Sequence, residues 1–162
     1  MTRHSIQGRV VRGVLLAGLV ASSASLVTSA FAGSCPADKV KANAREPVTL
    51  AAKGVTDTTL AAIDLGKQMV GAKDHELRFR KLTIEPGGIV PWHSHDDRPA
   101  LIFVQQGEIS EYASNCEVPI LHKAGDLRPE VSGTSHWWKN LGKETVILYV
   151  GDVRKDPTDH NM

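Results

Sequence analysis

Three things are scarce in this chain of 162 residues: net charge, cysteine and any long helical pattern. The charges nearly cancel, with 19 Lys and Arg against 18 Asp and Glu. Nucleic acid is thereby excluded as a partner, because phosphate binding is driven mainly by clustered Lys and Arg. No stretch repeats apolar residues at helical spacing over a convincing length, which argues against a helical fold. No Gly-rich phosphate loop, nucleophile elbow or Ser-His-Asp pattern is present.

The one long apolar run, "VLLAGLVASSASLV" from Val14 to Val27, is diluted by Ser22, Ser23 and Ser25 and falls short of a bilayer span. Arg3, Arg9 and Arg12 precede it and Ala30-Phe31-Ala32 follows it, the pattern of a secretory signal peptide cut before Gly33. Residues 1–32 are therefore read as a signal peptide, and the protein as a bacterial periplasmic or secreted one with no stable membrane span after cleavage. With Arg3, Arg9 and Arg12 removed, 16 basic residues face 18 acidic ones. The two cysteines, Cys35 and Cys116, both lie in the remainder. In an oxidising compartment the pair is expected to form a disulfide tying the N-terminal segment to a strand or turn near Asn115.

Residues 33–47 read as a polar arm, residues 48–154 as one domain, and residues 155–162 as a flexible tail. Within the domain, short alternating runs predict strands at Thr58–Leu65, Glu76–Ile84, Ala100–Gln106, Ile109–Tyr112, Pro119–Lys123, Ser135–Asn140 and Thr145–Val153. Turn chemistry separates them, including "EPGG" at Glu85–Gly88 and "KAGD" at Lys123–Asp126. The segment from Lys53 to Gly71 also admits one helix. Many short strands imply an all-β sandwich or small barrel.

His93 and His95, in "PWHSHDD", would share one face of a strand with imidazoles about 6 to 7 Å apart along the backbone. That suits two ligands of one ion, and His136 in "SGTSHWWKN" is the candidate third. Around these residues the chain resembles the cupin family in both of its motifs. Gly87, His93, His95 and Gly107 fall on the first motif, and Gly125, Gly133, His136 and Asn140 on the second, with Val131 at the motif's proline position.

The resemblance implies a jelly-roll β-barrel that brings His93, His95 and His136 together inside, and it implies a homodimer. Where the family carries a metal-binding glutamate, three or four positions past His95, this chain has Pro99 and Ala100. Neither binds a metal, so the ligand set shrinks to three histidines unless Asp96, Asp97 or a solvent molecule enters the shell. Such a set is similar to those of cupin dioxygenases acting on thiols, diketones or phenols, and suits Fe, Zn, Mn, Ni or Cu.

Strand alternation puts Ala100, Ile102, Gln106 and Trp138 on the inner face as candidate lining of a small-molecule pocket. It leaves Arg78 and Arg80 on a solvated face, unless one turns inward to hold a substrate carboxylate. His75, His122 and His160 are expected at the surface. Two functions fit: an exported metal-dependent dioxygenase of a small chelating substrate, or a non-catalytic module that senses or binds a metal or small ligand in the same cavity.

Overall fold

The computed structural model describes residues 33–68 and 70–155; the leader, the end of the tail and His160 lie outside the described residues. Eight strands carry the fold: β1 (Lys53–Asp64), β2 (Glu76–Ser94), β3 (Ala100–Gln106), β4 (Glu108–Ala113), β5 (Ile120–Lys123), β6 (Leu127–Glu130), β7 (Ser135–Lys139) and β8 (Val146–Arg154). They hydrogen-bond in the order β5-β4-β7-β2-β8-β3-β6, with β1 added on β2, and every pairing is antiparallel. This is an all-β jelly-roll barrel, all-β as the strand spacing implies and a jelly roll as the cupin resemblance implies. The helix admitted at Lys53–Gly71 does not form: the chain is strand through Asp64, followed by a short 3-10 turn at Leu65–Lys67.

Strand β2 organises the barrel because its two halves serve different neighbours. Glu76–Ile84 pairs with β8 on one side and β1 on the other, whereas Ile89–Ser94 pairs with β7. The Glu85–Gly88 segment, expected to be a turn between strands, is instead a corner within one continuous strand. Its glycines explain how. Gly87 has φ +74°, which disfavours any side chain, and a Cβ on Gly88 would lie 2.7 Å from Ile84 Cγ2 and 2.8 Å from Glu85 O. Strands that switch sheets at such bends make the corners of these folds.

The core follows from alternation. Leu82 and Ile84 of β2, Val104 of β3, and Val146, Leu148 and Val150 of β8 all point inward and pack with Val90, Ile102, Ile109 and Trp138. Strand β6 was not foreseen, since Leu127–Glu130 is only four residues long and contains Pro129. It lies at the sheet's edge, the place a sheet tolerates proline.

The N-terminal arm is fixed by a disulfide between Cys35 and Cys116 and by a backbone bridge from Val40 to Cys116. Closing a loop across a sequence separation of 81 is worth about 4 kcal/mol in the chain-entropy picture. Among the described residues no helix is long and apolar enough to cross a membrane.

Candidate metal centre

Two strands and one loop deliver the three histidines. His93 near the end of β2 faces His136 on β7 as its cross-strand partner, and His95 lies one residue beyond β2, its backbone N–H donating to Thr134 O at 2.9 Å. The rings converge: His136 Nε2 is 3.0 Å from His95 Nε2 and 3.1 Å from His93 Nε2. All three are buried, with His136 fully so.

What turns this packing into a site is the other nitrogen of each ring. His93 Nδ1 is 2.9 Å from Pro91 O, His95 Nδ1 2.8 Å from Arg98 O, and His136 Nδ1 2.8 Å from Glu111 Oε1. Carbonyl and carboxylate oxygens only accept, so each Nδ1 carries the proton and each Nε2 presents a lone pair. Three lone pairs aimed at one small volume repel one another unless a cation sits among them. Oxygen partners on the far nitrogens are also the usual way a metal-binding histidine is oriented.

At His93 and His95 protonation does not compete for the lone pair at neutral pH. Burial, with the neighbouring charges of His136 and Arg98, pulls His95 down from 6.5 to about 4. Burial and the proximity of His136 push His93 well below its ordinary value too.

Behind His136 lies a second layer that sequence reasoning missed. Glu111 is fully buried, and its carboxylate spans two imidazoles, with Oε1 at His136 Nδ1 and Oε2 2.8 Å from His122 Nε2. Burial alone would raise its pKa; hydrogen bonds from His122 and His136 and the charge of Arg128 outweigh it and keep the group ionised. Glu130, also fully buried, places Oε1 3.7 Å from His136 Nδ1 and 3.2 Å from Arg128 Nε. Burial raises its pKa, and the nearby Glu111 adds to that. His122, expected at the surface, is fully buried; it follows Ile120 on the inward face of β5 while Leu121 is exposed.

A family model for the cupin domain matches residues 80–151. Residues 80–151 make up a cupin domain. One solved structure agrees on the fold. A conserved protein with a double-stranded β-helix domain from Klebsiella pneumoniae has a TM-score of 0.50 at 20% identity, covering 68% of this chain and 84% of that one. The cupin domain of Cnp3 from Schizosaccharomyces pombe gives 0.49 at 16%, covering 67% and 70%. A sugar phosphate isomerase of the cupin superfamily from Silicibacter pomeroyi gives 0.49 at 17%, covering 62% and 60%. Comparison with curated proteins found no match.

Within this cupin, Ala100 stands in a row of inward residues running across four strands. Its register partners are Glu130 on β6 and Asp152 on β8, and Asp152 in turn faces Arg78 on β2. The small side chain at the motif's acidic position is therefore flanked by two buried acids. Arg78 and Arg80 do not lie on the solvated face: both are buried, while Leu77 and Phe79 are exposed. Arg78 holds Asp152 through two hydrogen bonds, at 2.9 and 2.6 Å, and Arg80 pairs with Asp57 and approaches Asp152 at 3.7 Å. Acids on β1 and β8 make burial of those guanidinium groups tolerable.

Of the remaining pocket candidates, Ile102 sits in the main apolar cluster, and Trp138 is buried with its indole N–H donating to His136 Nε2 at 3.2 Å. Gln106 is a correction. An irregularity in the β3–β8 register between Val104 and Gln106 breaks the alternation, and the side chain lies exposed, donating to Thr145 O. Asn140 braces its turn, donating to Ile84 O and Glu144 O and accepting from Gly142 N–H. The cleft of about 570 Å³ between Gly107–Glu108, Lys123–Ala124 and Gly142–Glu144 contains none of the three histidines.

Proposed function

We propose that this cupin binds one divalent transition metal through Nε2 of His93, His95 and His136, and acts on a small anionic chelating substrate as an oxygen-dependent dioxygenase of an oxidising, extracytoplasmic compartment. The observation that carries the reading is the set of three oxygen acceptors, Pro91 O, Arg98 O and Glu111 Oε1, that turn all three lone pairs inward. With separations of 3.0 and 3.1 Å from His136 Nε2, the three nitrogens lie close enough for one ion with bonds of about 2.1 Å to be held by all of them.

Held by His93, His95 and His136, a divalent metal would supply Lewis acidity. The chain supplies the rest. With no carboxylate among the three ligands, the ion would keep its full charge, which favours an anion in its open positions. The Trp138 indole N–H, aimed at the same volume, is a donor for a substrate oxygen once the metal occupies His136 Nε2. The buried apolar residues around it exclude water. Both atoms of dioxygen enter the substrate, so no outside reductant is required.

The test is anaerobic purification, metal analysis and oxygen uptake with thiols, diketones and phenolic acids. Uptake lost in His136→Ala supports the enzyme. A non-catalytic binding module is the second reading, favoured by the full occupation of Glu111, whose two oxygens are both taken by imidazoles. Tight ligand binding without turnover would support it. Export of the chain is supported by the leader pattern of residues 1–32 and by the Cys35–Cys116 bond.

A second copy of the chain is proposed to cover the outer face of the sheet. Ile63, Leu77, Phe79, Leu101, Phe103 and Leu127 are exposed there in neighbouring registers, and Phe79 stacks on Tyr149 with centroids 5.7 Å apart. A flat apolar face of this kind is self-complementary under a two-fold axis.

A further inference from the structure

His122 is the buried group for which the metal centre leaves a question. Its Nε2 faces Glu111 Oε2 and so bears a proton, and in the neutral ring Nδ1 is then an acceptor. That atom is buried and has no hydrogen-bond partner among the described residues. A buried acceptor without a donor is costly, by roughly 1 to 3 kcal/mol.

The backbone that lies against it belongs to Gly33. A Cβ built on this glycine would fall 2.4 Å from His122 Nδ1 and 3.0 Å from Cε1, a clash no side chain escapes, and 3.4 Å from Asp126 Oδ2. Gly33 itself is buried with φ +85°. It is held in place from two residues away, where Cys35 is bonded to Cys116, and further along by Glu117 N–H donating to Lys39 O and Lys41 N–H donating to Asn115 O. Asp126 Oδ2 accepts the Lys123 N–H at 2.7 Å and keeps lone pairs to spare. An unpartnered imidazole nitrogen and a carboxylate thus flank the residue that follows the small-x-small sequence Ala30-Phe31-Ala32.

We propose that cleavage between Ala32 and Gly33 leaves the Gly33 α-ammonium group seated on His122 Nδ1 and Asp126, so that removal of the leader completes a hydrogen-bonded chain to His136. In the cleavage, water adds its oxygen to the Ala32 carbonyl carbon as the amide C–N bond breaks, and the freed nitrogen of Gly33 takes up protons. A peptide nitrogen has one N–H and no charge; the new terminus has three donors and a positive charge, which suits an acceptor beside a carboxylate. From there the chain runs His122 Nδ1, His122 Nε2–H, Glu111, His136 Nδ1–H, and the ring whose Nε2 faces the metal centre. The inference rests on the leader reading and on this last link to the proposed metal ligand; the docking of the terminus stands without any metal.

The experiment compares the exported protein, its start defined by intact mass, with the same chain carrying Ser-Ala ahead of Gly33, and both with their Asp126→Asn variants. The expected result is a mass beginning at Gly33 and a thermal midpoint higher by about 3 °C or more than that of the extended protein. In Asp126→Asn that gap should shrink by at least half, which a general effect of extra residues would not do. A mass beginning elsewhere, equal midpoints, or a gap untouched by Asp126→Asn overturns the proposal. Metal content measured on the same samples separates the two claims: a gap in metal-free protein keeps the docked terminus and removes the metal, and the reverse pattern does the opposite.

Discussion

Glu111 and His136 are joined by a 2.8 Å hydrogen bond between two fully buried side chains, carboxylate Oε1 to Nδ1–H, and this single contact fixes which nitrogen of His136 is free for a metal. Glu111→Gln keeps the shape but can present an amide N–H to Nδ1 and reverse the tautomer. Such partners are worth about 10- to 100-fold in metal affinity. Competition titration against a chromophoric chelator should show a loss in that range with the far-ultraviolet dichroism unchanged; unchanged affinity would remove Glu111 from the site.

Acid should destabilise the metal-free protein over a defined window. In the unfolded chain His95 takes up a proton near 6.5, whereas in the folded protein it does so only near 4. Between those values the unfolded state binds more protons, so stability falls as pH falls, by roughly 3 kcal/mol for a shift of this size. Urea midpoints at pH 7, 5.5 and 4 should decline in that order. Saturating metal should raise all three and steepen the fall, because protons and metal compete for the same lone pairs.

Restoring the family's acid at position 100 is expected to fail. Ala100 is buried between Glu130 and Asp152 in register, so Ala100→Glu would bring a third carboxylate into a low-dielectric row whose nearest cations, Arg78 and Arg128, are already engaged by Asp152 and Glu130. A loss of about 3 kcal/mol or more in chemical denaturation is predicted. A variant as stable as the parent with tighter metal binding would mean that the space beside Ala100 belongs to the metal's coordination sphere.

The outer face gives a further test. Phe103→Glu, a change at a position 39% exposed in the single chain, should leave the fold intact and shift the sedimentation coefficient from that of a dimer to that of a monomer. A parent that is already monomeric contradicts the proposed two-fold contact.

Much of the barrel and the whole histidine triad are legible in the sequence because they rest on local spacing. Alternation alone gives Ala100–Gln106 at the bounds of β3, and His93, His95 and His136 fall on motifs set in turn-bounded strands. The charged interior is not legible in the same way. Arg78 is tolerated inside only because Asp152 lies opposite, 74 residues away, and Glu111 only because His122 and His136 reach it from two other strands. A single chain read along its length carries no trace of those pairings. Alternation did hold a hint: Glu111 shares a face with Ile109, and His122 with Ile120, both core residues. At Gln106 the rule itself failed, because one register irregularity turned the end of β3 outward.

The most direct measurement is metal stoichiometry by elemental analysis of protein purified without oxygen or chelator, then stripped and reloaded. The account predicts one transition-metal ion per chain, regained on reloading, and less than about a tenth of that in His93→Ala, His95→Ala or His136→Ala. Retention of one ion per chain in these variants, or no ion bound by the parent after reloading, would contradict it.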